Sequence, residues 1–195
     1  MKMTNEEIVL EGQLRECYGR VVYSHKTHEK CADILLTLHK RIKLAQIILS
    51  AIVTGGLFTA LFDFQPLTEY KQIGVFVTLI ISTILLVLNT YTKDYDLGEI
   101  AQKHRQAGAD LWIIREQYLS LLTDLHIHAQ PINETLAKRD RLAEELHAVY
   151  TGAPSTNYKA YSMAQQALKE LEDMTFSDEE IDSFLPRELK RLENK

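Results

Sequence analysis

Seven histidines and two cysteines are the side chains of this 195-residue sequence best suited to hold a metal or attack a substrate. Their spacing does not assemble a site. His25 and His28 stand three apart on a helical pattern, yet no neighbouring set completes a convincing tetrahedral ligand group. His126 and His128 are two apart and diverge on a helix. Cys17 and Cys31 lie 14 residues apart, about 21 Å along one helix and far beyond disulfide reach. Two such thiols suit a reducing compartment. The sequence contains no GxSxG, no HExxH, no Walker-type loop and no paired-cysteine zinc pattern. The expectation is a protein that is not an enzyme and needs no metal or other cofactor.

The remaining polar residues of interest sit in unusual company. LAQIILSAIVTGGLFTALF, residues 44–62, and QIGVFVTLIISTILLVLNTYT, residues 72–92, are runs of 19 and 21 residues without a charge. As helices they measure about 28 and 32 Å, which matches a hydrocarbon core of about 30 Å. Within the first, Gln46, Ser50 and Thr54 recur every four residues, beside the small residues Gly55, Gly56 and Thr59. The second carries Thr78, Ser82 and Asn89. One reading makes these a pore wall or a contact between subunits. The other makes them small, weakly polar residues that let the two helices pack closely.

The elements that must position these stripes follow from pattern and charge. The expected fold class is an all-α membrane protein, a two-span hairpin whose long helices extend into a cytoplasmic helical bundle. Residues 1–43 form an N-terminal cytoplasmic helix, 63–71 a short extracytoplasmic loop, 93–174 a cytoplasmic helical region and 175–195 an acidic tail. A loop of that length forces both termini to one side. Lys26, Lys30, Lys40, Arg41 and Lys43 precede the first run and Lys93, Lys103 and Arg105 follow the second, whereas the loop holds Lys71 alone. The positive-inside rule then puts both termini in the cytoplasm of a bacterial inner membrane. A start 43 residues into the chain argues against a cleaved signal. The formal charge of −5 argues against direct nucleic-acid binding.

Thr4 and Glu7 read as a capping box opening the first helix. A seam of fours and threes then runs through Leu10, Leu14, Cys17, Val21, Ser24, His28, Cys31, Leu35, Leu38 and Ile42. The second arm repeats it with Leu97, Ile100, His104, Ala107, Leu111, Ile114, Tyr118, Leu121 and Leu125. Side by side, these arms make an antiparallel pair with seam left over for another subunit, so Leu111 and Ile114 are expected at an oligomer contact. His28 and His104 fall at similar depth and can act as a polar register device or a pH-sensitive contact. Trp112, Arg115, Tyr118 and Asp124 read as a buried aromatic cluster with an Arg–Asp contact to a neighbouring helix, or as a regulatory docking surface. Lys138, Arg139 and Arg141, mixed with acids, read as a solvated face. Pro131 ends the second arm and Asn133 caps a third helix reaching Tyr150. After a turn at Thr151–Tyr158, a fourth helix shows Tyr161, Ala164, Leu168 and Leu171 on one face. Ser177 and Glu180 open a tail helix, and Pro186 begins a last one with Leu189 and Leu192.

Three stretches carry a family resemblance: LWIIREQYLSLLTDL (Leu111–Leu125), RDRLAEELHAVYTGAPSTNYKAYSMAQQAL (Arg139–Leu168) and FSDEEIDSFLP (Phe176–Pro186). The best marker is the turn Gly152, Ala153, Pro154, Thr156 followed by Tyr158 and Tyr161. Together with the hairpin, these resemble the SLATT family (SMODS and SLOG-associating two-transmembrane effector domain). The closing stretch and the lack of an appended domain are most similar to its fifth subfamily. The resemblance implies a homo-oligomeric effector of bacterial antiviral, abortive-infection defence that forms a pore or disrupts the membrane. Its partners would be its own copies and membrane lipids. Upstream it implies a separate sensor, either a nucleotidyltransferase making a cyclic nucleotide or a defence reverse transcriptase. Two other readings of the residues remain: a nonenzymatic membrane anchor that recruits a partner, and a small housekeeping channel or transporter.

Overall fold

The computed structural model describes residues 3–61, 71–171, 173–186 and 190, with the backbone alone at 59, 60 and 71. The expected loop over 63–71 lies outside the described residues apart from the backbone of Lys71, and a last helix carrying Leu189 and Leu192 lies outside them as well. Helix α1 runs unbroken from Asn5 to Leu61, about 85 Å at 1.5 Å per residue. It thus joins the first arm to the first apolar run. Its start is the capping box: the Glu7 amide donates to Thr4 Oγ1 at 3.3 Å, and the Thr4 amide to Glu7 Oε2 at 2.6 Å.

The second limb is divided. Helix α2 spans Lys71–Asp94 and α3 spans Leu97–His126. Between them Asp96 takes an extended conformation and its carboxylate accepts from the amides of Gly98 (2.8 Å) and Glu99 (3.1 Å). An N-cap there satisfies the donors that open α3, so the chain turns at the end of the apolar run instead of continuing as one rod. Those bonds hold the Asp96 carboxyl below its usual range, with His39 and Lys43 of α1 pulling the same way.

Helix α3 lies along the first half of α1, and the arms bury Leu10, Leu14, Val21, Leu111, Ile114, Tyr118, Leu121 and Leu125 between them. Complete burial of a leucine such as Leu14 or Leu111 stabilises by roughly 1.5–3 kcal/mol. The seam departs from expectation in places. Ala101 replaces Ile100 as the buried residue, Leu38 is exposed, and α1 turns His25 inward as well as His28. Helix α4, Ile132–Gly152, covers the far end of α3 through Leu142, with Leu136, Leu146 and Val149 partly buried. Pro131, not Asn133, takes its N-cap position, since proline lacks the N–H a helix start leaves unpaired.

Asn157 caps α5, Tyr158–Lys169, by accepting from the Ala160 amide at 2.9 Å. Its packed face is Ala160, Ala164 and Ala167, which lets it approach α1 closely. The expected face is corrected at its larger members, because Tyr161 and Leu171 remain exposed. The short α6, Asp178–Phe184, opens on the reciprocal Ser177–Glu180 capping box.

Both charge-free runs stand apart from this core. None of the most apolar stretch of either helix is buried by the chain itself, although each is long and apolar enough to cross a membrane.

Candidate functional site

Where α1 and α2 meet, the half-buried residues are Ile42, Gln46, Leu49, Val53 and Gly56 on one side and Thr78, Ile81, Leu85, Leu88 and Thr92 on the other. Both rows step by fours and threes, so the contact is a continuation of the arms' seam. The polar stripe of the first run does not stay on one face. Four residues advance a helix by about 400°, a drift of about 40° per step. Gln46 therefore points at α2, while Ser50 and Thr54 have rotated to the outside.

Gln46 donates through Nε2 to Asn89 Oδ1 (2.9 Å) and to Thr92 Oγ1 (3.1 Å), a bridge inside the hairpin. Ser50 and Thr54 instead donate to the carbonyls of Gln46 (2.7 Å) and Ser50 (2.8 Å). That internal pairing is what a hydroxyl facing hydrocarbon needs. The two glycines divide as well. A Cβ on Gly56 would clash with Thr78, whereas one on Gly55 would meet nothing within 4 Å. Ser82 is exposed. The side chain of Thr59 lies outside the described residues.

In the arms, His28 and His104 meet: their Nδ1 atoms are 2.9 Å apart, ring centroids 5.0 Å apart, and both residues are buried. Burial pushes His28 down to about 4, with His104 and then His25 adding to the effect, and burial lowers His104 too. His25, absent from the expected seam, donates from Nδ1 to the Gly108 carbonyl at 2.8 Å and presents its ring edge to Trp112. The signal for it was a step of four from Val21 followed by three to His28, an alternative path along the same helix face. Beside them, the Cys31 thiol is pushed up by burial.

Leu111, Ile114 and Tyr118 are covered by the chain's own arms. One α1–α3 pair already covers these positions, where an oligomer seam was expected. Burial and the neighbouring Cys17 push the Tyr118 phenol up to about 12. Trp112 is 45% exposed, and the Arg115 guanidinium stacks 3.7 Å from its ring centroid. Arg115 pairs with Glu116 and reaches Met174 Sδ at 3.8 Å. Asp124 reaches Lys138 of the neighbouring α4 at 3.6 Å. Arg139 is also more than a solvated charge, since its Nη1 donates to Gln13 of α1 at 3.1 Å. Trp112, Asp124, Lys138 and Arg141 border a cavity of about 530 Å³ between α3 and α4.

The turn after Gly152 closes against α1. Ala153, Pro154 and Thr156 line a cavity of about 300 Å³ with Tyr23, Ser24, Thr27, His28, Tyr150 and Tyr161. Ser24 Oγ and Tyr150 Oη are 2.7 Å apart, and Tyr161 stacks on Tyr23 with centroids 6.0 Å apart. Tyr158 points away and is 84% exposed. Among the described residues, no group of three or more His, Cys, Asp and Glu side chains is placed to hold a metal ion.

Residues 10–180 match the family model described as SMODS and SLOG-associating 2TM effector domain family 4. The expectation of the fifth subfamily is corrected by that match. No curated protein and no solved structure matches the chain. The matched span runs from the first buried leucine of α1 through both apolar helices and the arms into α6. The chain belongs to the SLATT family, in its family 4, and carries a two-transmembrane effector domain associated with SMODS and SLOG conflict systems.

Proposed function

We propose that this chain is a membrane effector of bacterial antiviral defence whose α1–α2 hairpin crosses the inner membrane with both termini in the cytoplasm. When a separate sensor is triggered, copies assemble through the hairpins and breach the membrane. The carrying observation is that no residue in the most apolar stretch of either charge-free helix is fully buried, the contact between them leaving their outer faces bare, while the same chain completes a buried apolar core elsewhere. A sequence able to bury leucines completely has no folding reason to leave two apolar runs bare, unless their solvent is lipid. The basic flanks of α1 and α2 support the orientation. The outward set of Ser50, Thr54 and Gly55 supports contact between hairpins, with Ala51 completing a small-xxx-small pair. The trigger in this reading is a cyclic nucleotide from a nucleotidyltransferase or a defence reverse transcriptase, acting from outside the hairpin.

The anchor reading has one observation in its favour. The Gln46–Asn89–Thr92 bridge spends two of the three amide side chains of the charge-free runs within one chain, leaving Gln72 at the edge of the second run, with hydroxyls and glycine, to line any opening. Dye entry and viability in cells carrying the complete defence locus, before and after phage challenge, separate the two. Gly55→Leu and Ser50→Leu should suppress dye entry and arrest after challenge, while the outward control Ile48→Leu should behave as the parent. If both stripe variants admit dye and arrest growth like the parent, the pore assignment fails and the anchor is preferred.

A further inference from the structure

We infer that the buried His28–His104 pair is a proton-operated latch between the two arms, closed while one ring stays neutral and accepts through Nδ1, and opened when both rings are protonated. The geometry forces this stoichiometry. Two Nδ1 atoms 2.9 Å apart need one ring to donate and the other to accept. A first added proton makes one cation and still leaves a donor and an acceptor in the shared bond, whereas a second makes both Nδ1 atoms donors and sets two cations face to face in a buried joint. The inference concerns the α1–α3 joint and stands whether or not the hairpins form a pore.

The surroundings offer that second charge little relief. On α1, Glu29 is already shared between Lys26 at 2.9 Å and His25 at 3.6 Å, and Lys26 also holds Asp173, beyond α5, at 3.0 Å. Asp33 of α1 pairs with Arg105 of α3 at 3.3 Å. His25 pushes His28 further down, and its Nδ1 is committed to the Gly108 carbonyl. The Cys31 thiol, held neutral by burial, offers no anion. From α4 and α5 the facing groups are phenols, Tyr150 and Tyr161. Protons nonetheless have a route, because His28 forms part of the wall of the hydroxyl-lined cavity beneath the α4–α5 turn. The latch sits on the arm about 24 Å before the first apolar run, where opening would free α1 from α3 without disturbing the leucine core nearer the α1 N-terminus.

The sign follows from the direction of the shift. Both imidazoles are held neutral below their ordinary range, His28 at about 4, so the closed joint is fully favoured above pH 6.5 and weakens as pH falls from there toward 4. The test is hydrogen exchange of the full chain in lipid nanodiscs at pH 7.5 and 5.0, corrected for the intrinsic pH dependence of exchange. Protection of residues 25–32 and 101–108 should drop by about tenfold or more at pH 5.0, with residues 117–125 much less affected. In the double variant His28→Asn/His104→Asn, which keeps a donor and an acceptor at the Nδ1 positions without a titrating proton, the drop should vanish. An unchanged parent, or a double variant that retains the drop, overturns the latch. Nitrogen NMR of the parent at pH 7.5 provides a check independent of the variant's folding. One of the two rings should carry its proton on Nδ1 and the other on Nε2, and two rings both protonated on Nε2 would equally refute it.

Discussion

Adding one methyl group at Gly56 should damage the hairpin, and adding it at Gly55 should not. A Cβ at Gly56 falls within the van der Waals envelope of Thr78 Oγ1 and sits 3.3 Å from its Cγ2 and 3.4 Å from its Cβ. Thr78 cannot swing aside freely, because its hydroxyl donates to the Gly74 carbonyl at 2.8 Å. Relief therefore requires losing that bond or separating the helices. Overpacking of this kind costs about 1–3 kcal/mol, up to a hundredfold or so in the hairpin's packing equilibrium. Both glycines lie inside α1, so any gain in helix propensity on changing to alanine is common to both, and their difference isolates the contact. Equilibrium unfolding of the full chain by SDS in mixed micelles reads it, with Gly56→Ala, Gly55→Ala, Thr78→Ala and the Gly56→Ala/Thr78→Ala pair forming a double-mutant cycle. Gly56→Ala should be the less stable alanine variant, and Thr78→Ala should restore most of the loss. Equal effects at the two glycines, or no coupling with Thr78, would refute the assigned helix face.

Two further outcomes are expected in the arms. Leu111→Ala removes a completely buried side chain and should cost about 2–5 kcal/mol of arm stability. Thermal unfolding checks this, and the loss should be independent of protein concentration, because the contact lies within one chain. Asp96→Ala should reduce the helicity of the start of α3 at neutral pH by circular dichroism and local exchange, with Asp96→Asn retaining most of it as another capping residue. The Asp96 carboxyl is held below its usual value by the bonds it accepts, so the parent's cap is present above that usual value and fades as pH falls through the lowered one. A parent start to α3 that strengthens on acidification would contradict that account.

Much of this architecture is local physics and so is legible residue by residue. Charge-free runs of 19 and 21 residues are long enough to cross hydrocarbon whatever they pack against. Thr4–Glu7 and Ser177–Glu180 bond to their own helix starts and are readable as short motifs. The alternating spacing announces two arms, and His28 and His104 fall on it. What pattern alone left open was decided by small angles and by neighbours. A drift of about 40° per four residues sends Gln46 into the hairpin and Thr54 out of it. Adjacent glycines differ by about 100°, so only Gly56 meets Thr78. His25 enters the joint because Gly108, with no side chain to shield it, leaves its carbonyl within reach, a partner 83 residues away that no local spacing announces. The same holds for Leu111 and Ile114, whose apolarity demands a partner without naming it, and α1 of the same chain fills that role. Local sequence specifies which surfaces must be covered, whereas the choice among possible covers depends on the distances that folding brings together.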